Sequence, residues 1–219
     1  MVSPFFSFLH FVGKIDILSL SKPRGKTMAL DKEINYIVSG LERSGTSMLM
    51  QILANGSVPL AQDEESRPPD DNNPKGYFEL EGGKIINTLM NGTFPISDYK
   101  GLFIKVTAYG MKFLPPGKYR VIYSERNIEE ILDSMEKMAK TQDQNREETK
   151  AVFLKLNTII KDLIQKREDM DVLFVNYNDI LSEPENIVAA IHEFIGSADF
   201  DLDKMIETVE HSLYRKRRT

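Results

Sequence analysis

The chain is 219 residues long, carries 28 Lys and Arg against 33 Asp and Glu for a formal charge of -5, and contains no cysteine. That length suits one α/β domain with a full hydrophobic core, or one domain with a small appendage. The acidic balance argues against a general nucleic-acid binder, so any anion site must be a local concentration of positive groups; the missing cysteine excludes disulfides, thiol nucleophiles and zinc-thiolate sites and makes a reducing cytoplasm the natural compartment.

Residues 1–27 fit the rest poorly. "FFSFLHFVG" is apolar, but Lys14 and Asp16 cut the run well short of the ~20 residues that span a bilayer. No basic n-region precedes it and no clear cleavage site follows, which weakens a secretory signal. We therefore expect a dispensable or disordered extension over 1–27, no stable membrane insertion, and one domain over 28–219 starting at Met28. A peripheral membrane anchor is the alternative for the extension.

Strand-like and helix-like segments then alternate, the pattern of a parallel sheet with covering helices. "INYIVSG" predicts a strand ending in glycine, and "SMLMQILANG" a helix stopped at Asn55-Gly56. From about Pro59 to Gly76 the acids, prolines and glycine of "AQDEESRPPDDNNPKG" predict a long loop, functional or disordered. "YFELEGGKIINTLMNG" predicts a helix weakened by Gly82-Gly83, and "GLFIKVTAYG" a second strand. "YRVIYSERNIEEILDSMEKMAK" predicts a strand, a turn at Ser124 to Asn127, and a helix with Ile128, Ile131, Leu132, Met135 and Met138 on one face. Over Glu147 to Arg167 the pattern predicts a long amphipathic helix burying Val152, Phe153, Leu156, Ile159, Ile160, Leu163 and Ile164. "DVLFVNY" is a further strand, and "SEPENIVAAIHEFIG" a helix with Pro184 in its first turn.

Between the first strand and helix, Gly40 and Gly45 have the separation of the nucleotide-triphosphatase loop G-x-x-x-x-G-K-[ST], but the lysine position is Thr46. What remains is still an anion cradle. The N–H groups of Ser44, Gly45, Thr46 and Ser47 are expected to converge at a helix N-terminus, with Arg43 as the cation inside the loop. A glycine turn that merely packs strand on helix is the plain alternative. Arg126 falls where the third strand should end, the edge at which parallel sheets bind ligands, and Ser134 lies about two turns up the next helix. An ion-pair partner for "IEE" is the plain alternative for Arg126.

Together these segments resemble the sulfotransferase superfamily, in a compact bacterial form. "GLERSGTSMLMQIL" is similar to the loop that grips the 5'-phosphosulfate of 3'-phosphoadenosine 5'-phosphosulfate (PAPS), and "YRVIYSERNIEEILDS" to the segment holding the 3'-phosphate, with Arg126 and Ser134 on its arginine and serine. "VLFVNYNDILSEPENIVAAIHEFIG" resembles the family's later strand and helix, and "SLYRKRRT" the ending of compact members. The likeness runs from Ile34 to the C-terminus. It implies an α/β, P-loop-like three-layer fold with a central parallel β-sheet flanked by helices.

It also implies transfer of a sulfuryl group from PAPS to a hydroxyl or amine acceptor, releasing adenosine 3',5'-bisphosphate, with no metal required. Arg43 and Lys105 are then the cations near the reacting group. The family's catalytic histidine position is occupied by Thr107, which cannot be a base near neutral pH. His192, the histidine within the domain's helices, is expected to pack. A carboxylate should therefore take the proton: Glu65 in "DEESR" by its likeness to "EETR" of tyrosylprotein sulfotransferases, with Glu64 beside it, Arg67 as an acceptor contact, and Glu79 in reserve. A partly desolvated glutamate can have its pKa raised toward working pH. Tyr177 is a candidate adenine contact or a structural tyrosine, and Arg215 a candidate 3'-phosphate contact from the basic tail. Acceptor class and oligomeric state are not readable. A non-catalytic nucleotide-binding module is the alternative function, a small nucleotide kinase the third.

Overall fold

A computed structural model of the chain describes residues 30–63, 69–70, 73, 76–197 and 199–209. The expected extension over 1–27, the carboxylates Glu64 and Glu65, Arg67, and the basic tail with Arg215 lie outside the described residues.

Four strands form one parallel sheet: β1 (Asn35–Gly40), β2 (Phe103–Thr107), β3 (Tyr119–Glu125) and β4 (Met170–Asn176), in the order β2-β1-β3-β4. Among the described residues seven α-helices accompany them: α1 (Thr46–Asn55), α2 (Ile85–Met90), α3 (Ile128–Ala139), α4 (Arg146–Lys166), α5 (Tyr177–Ser182), α6 (Pro184–Ile195) and α7 (Leu202–Glu207). All six residues of β1 are buried, which is why the strand reads as an unbroken apolar run: helices cover both faces of the sheet.

Alternation along the strands sorts the core into two layers. Tyr36, Val38, Phe103, Ile122 and Val175 face one side and pack on Leu49, Met50, Ile52 and Leu53 of α1, with Ile180, Val188 and Met205 from α5 to α7. Ile37, Ile104, Val106, Val121 and Tyr123 face the other side and pack on Leu89, Ile131, Ile160 and Ile164 from α2, α3 and α4. The result is the expected three-layer α/β fold.

Strand order decides where a ligand can sit. The chain leaves β1 through α1 on one face and leaves β3 through α3 on the other, so the connections diverge above the adjacent carboxyl ends of β1 and β3. A crevice opens at such a switch point. Both of its walls are chain segments that the sequence marks for anion binding: the Gly40–Ser47 turn and Arg126.

Two expectations need correction. The segment predicted as one helix from Tyr77 is extended through Glu79, makes a 3-10 turn at Glu81–Gly83 and becomes α-helical only at Ile85. Gly82 and Gly83 both take positive φ, which breaks the helix ladder rather than weakening it. In α4 the predicted buried stripe is too wide: Val152 and Ile159 are 58% and 43% exposed, and the fully buried members are Ile160 and Ile164. The helix lies on the rim of its layer, so its apolar stripe is only partly covered. His192 sits in α6 with Nε2 3.1 Å from the Phe200 carbonyl, in keeping with a packing role. No helix among the described residues is long and apolar enough to cross a membrane.

Candidate active-site cleft at the switch point

The turn after β1 is built around two glycines. A Cβ at Gly40 would lie 2.5 Å from Ser44 Oγ and 2.6 Å from the Ser124 carbonyl, and one at Gly45 would lie 2.4 Å from Cδ2 of Tyr177. Both positions also hold positive φ, 152° and 111°. The turn is tied to β3 by Ser124, whose hydroxyl donates to the Ser44 carbonyl at 2.9 Å. Gly45 is the N-cap of α1, no side chain caps that end, and no acid occupies the first turn. An α-helix leaves its first amides without intrahelical partners, so this end presents a partial positive charge to whatever lies above it.

Above it is a cleft of about 390 Å³, lined by Arg43, Gly45, Thr46 and Ser47 of the turn, Lys105 and Thr107 of β2, Arg126, Ser134 of α3, Glu79 and Tyr177. The predicted cations and their companions therefore share one cavity. Ser44 is the exception: its N–H donates to Leu41 O at 3.1 Å and its side chain is buried beneath the turn.

Lys105 brings an ammonium to the turn from the neighbouring strand β2. Its Nζ donates to Ser47 Oγ at 3.0 Å, to the Tyr77 carbonyl at 2.9 Å and to Glu79 Oε1 at 3.2 Å. Lysine and glutamate side chains there are only 10% and 13% exposed. The register of the sheet puts Lys105 opposite Val38, two residues before Gly40, so a side chain rising from β2 reaches the first turn of α1.

On the other side of β1, Arg126 follows the last residue of β3 and is held from three directions. Its Nε donates to the buried Glu130 carboxylate at 3.0 Å, its Nη1 donates to the Arg43 carbonyl at 3.2 Å, and its guanidinium carbon lies 4.1 Å from the Tyr177 ring centroid. Glu130 is fixed in turn by Asn178, whose Nδ2 donates to Oε1 at 3.3 Å. Tyr177, 8% exposed, is wedged between Gly45 and this guanidinium. Its ring is a platform for Arg126.

Arg43 lines the cleft from the turn and reaches α3. Its backbone is left-handed, φ 64°, and its side chain turns toward α3, where Nε donates to Ser134 Oγ at 2.9 Å. The serine expected to accompany Arg126 is thus bonded to the loop arginine.

Sequence reasoning missed three participants. Glu130 looks like an ordinary exposed helix acid, and only the tertiary fold shows its side chain fully buried. Tyr77 supplies a backbone oxygen, which leaves no signal in residue identity. Gln51, 7% exposed in α1, donates to Asn73 at 3.4 Å and so ties the helix to the loop above the cleft.

Comparisons with known proteins agree with this architecture. In sequence, no curated protein matches the chain. Among solved structures, mouse sulfotransferase SULT7A1 complexed with PAP superposes with a TM-score of 0.50 at 15% identity, covering 85% of this chain and 68% of its own. Retinol dehydratase in complex with androsterone and inactive cofactor PAP gives 0.49 at 16% identity, over 84% of this chain. The chain spans 65% of the length of that protein. Sulfotransferase STF1 from Mycobacterium tuberculosis H37Rv gives 0.47 at 14%, over 81% and 75%. The sulfotransferase domain family matches residues 33–219, which takes in every strand, every helix and the whole cleft. The turn, the two arginines and the strand lysine are thus the cleft of a chain that belongs to the sulfotransferase family.

Proposed function

We propose that the protein is a PAPS-dependent sulfotransferase that moves a sulfuryl group to a hydroxyl or amine acceptor. The observation that carries this reading is the placement of Lys105 and Arg126 on either side of β1, across the uncapped start of α1, in one cleft. Adjacent strands are ~4.8 Å apart, so cations rising from β2 and β3 are separated by roughly 10 Å at the sheet. Two anionic ends of one nucleotide suit that spacing. The loop lacks a lysine at Thr46, which disfavours a triphosphate, and the kinase reading with it.

The donor supplies a sulfuryl group on a phosphate leaving group. As its sulfur–oxygen bond to phosphate breaks, negative charge grows on the departing oxygen; the amides of Thr46 and Ser47 and the ammonium of Lys105 are the groups that meet it. The acceptor oxygen forms the new sulfur–oxygen bond and gives up its proton. Thr107 lines the cleft at the place where the resemblance expects histidine, so the proton goes to a carboxylate. Glu79, bonded to Lys105, is our choice among the described residues, with Glu65 and Glu64 as the family-based alternatives. Asp63 N donates to the Glu79 carbonyl at 2.9 Å. Arg126 and Ser134 take the 3'-phosphate, and Tyr177, which lines the cleft beneath Arg126, keeps its place as the candidate adenine contact.

The test is transfer of label from PAPS across sugar, lipid, small-alcohol and tyrosine acceptors. The parent should turn over with at least one class, and Lys105→Met and Glu79→Gln should each lower kcat by about 100-fold or more while donor binding persists. Full activity in both variants would remove these roles. Donor binding without turnover by the parent would favour the second reading, a non-catalytic module, which the threonine at 107 motivates.

A further inference from the structure

The backbone around Glu79 is bent in a way that its place before α2 does not require. Resting on the PAPS reading and on Glu79 as its base, we propose that Gly83 is the positioning residue for that carboxylate: a left-handed run folds the Gly83 backbone against Oε2 of Glu79, and only a residue without a Cβ leaves the carboxylate aimed into the cleft.

The run itself is the first observation. Phe78 (φ 55°), Glu81 (φ 49°), Gly82 (φ 62°) and Gly83 (φ 83°) all hold positive φ, and Glu79 stands among them. A bulky residue in that region is strained, and such strain persists where the surroundings over-determine it, most often at a functional site. Here Phe78 packs on the layer that contains α1, while Leu80 is buried in the layer on the other side of the sheet. Apolar anchors thus grip the chain on both sides of Glu79. Hydrogen bonds hold the same stretch: the Tyr77 carbonyl accepts from Lys105 Nζ, the Glu79 carbonyl from Asp63 N and the Leu80 carbonyl from Gly83 N, each at 2.9 Å.

The second observation is the seat of the carboxylate. Oε1 accepts from Lys105 Nζ at 3.2 Å, and a Cβ at Gly83 would lie 2.7 Å from Oε2 and 3.3 Å from Cδ, well inside van der Waals contact. Because the backbone is held at both ends, the side chain must yield, and yielding draws it off Lys105. Glu79, Gly82 and Gly83 all line the cleft, so the displacement occurs where the acceptor is to lose its proton. Strain at Gly83 costs stability; movement of the carboxylate costs turnover.

The experiment reads kcat and nucleotide binding separately in the full chain. Labelled PAPS is followed with the four acceptor classes above and with water alone, whose oxygen bonds sulfur as the sulfur–oxygen bond to phosphate breaks and whose proton passes to Glu79. Gly83→Ala should lower kcat by about 10- to 100-fold, the range for a misplaced reacting group, while adenosine 3',5'-bisphosphate binds as in the parent by calorimetry. Gly83→Asn, which tolerates the left-handed backbone but still brings a Cβ, should do the same. In a Glu79→Gln background Gly83→Ala should lower kcat by less than about 2-fold, because no base is left to misplace. Gly92→Ala, at φ 67° with nothing within 4 Å of its Cβ, carries backbone strain alone and should keep the parent's kcat. An unchanged kcat in the Gly83 variants, or an equal fold loss in both backgrounds, overturns the assignment. A parent that releases no label to any acceptor would instead bring down the PAPS reading, and the contact is then decided by scanning fluorimetry: Gly83→Ala should lower Tm less in Glu79→Ala than in the parent, and equal losses would overturn it.

Discussion

Replacing Gly45 by alanine tests how the turn, Tyr177 and Arg126 depend on one another. Two costs can be worked out. At φ 111° a Cβ is strained, which costs about 1–2 kcal/mol. The new methyl would also lie 2.4 Å from Cδ2 and 3.1 Å from Cε2 of Tyr177, well inside van der Waals contact. That ring is 8% exposed and is stacked against Arg126, so it cannot step aside without disturbing the guanidinium. Overpacking of this kind costs about 1–3 kcal/mol. The sum is about 2–5 kcal/mol, or roughly 4–20 °C in Tm for a domain of this size. Differential scanning fluorimetry reads the shift, and a double-mutant cycle isolates its cause: Tyr177→Ala removes the overlap but not the backbone strain, so the pair should be less destabilised than the sum by about 1–3 kcal/mol. Strict additivity, or a Gly45→Ala protein with the parent's Tm, would refute the wedge described above.

Two further outcomes are expected. Glu130→Gln leaves Arg126 charged without its buried counter-ion and should destabilise the unliganded protein by about 1–3 kcal/mol; because a bound phosphate then replaces that counter-ion, adenosine 3',5'-bisphosphate should raise Tm by more in the variant than in the parent, and an equal ligand-induced rise would contradict this. Away from the cleft, hydrogen bonds from the Arg167 guanidinium hold the Asp169 carboxyl down to about 2, so its contribution is complete above the ordinary carboxylate value near 4 and is lost as pH falls from there through 2. Asp169→Asn should therefore cost about 1–2 kcal/mol in chemical denaturation at pH 7 and nothing below pH 2, and a pH-independent cost would refute the ion-pair account.

The elements that sequence reads well are those whose signal is local. β1, β3 and β4 are short β-branched or aromatic runs, and α6 is bounded by Pro184 at its start and Gly196, at φ 78°, at its end. The turn from Gly40 to Ser47 is legible because glycine spacing encodes a backbone conformation. What stays hidden depends on direction and burial. Periodicity gives the apolar face of α4 but not the width covered by its neighbours, so Val152 and Ile159 read as core and prove exposed. Arg43 and Lys105 are both visible as cations; the direction each side chain takes depends on a left-handed φ and on strand register, neither of which is written in residue type. Glu130 is the sharpest case, because a helix acid four residues after an arginine usually makes a solvated pair.

Moving the lysine from loop to strand changes what the cradle can do. A lysine at position 46 would ride on the first turn of α1 and follow any movement of the loop. Lys105 instead rises from the neighbouring strand and is braced by Ser47, Tyr77 and Glu79. Its charge is thereby fixed relative to the sheet, and one of its braces is the carboxylate we assign to the acceptor proton. On the proposed reading, a single ammonium that contacts both the donor cradle and the base would couple the two halves of the transfer in one rigid geometry, which is where most of the advantage of positioning arises. A loop lysine facing a chain of phosphates needs a metal to share the charge; a strand lysine paired with a carboxylate suits one departing oxygen and one departing proton.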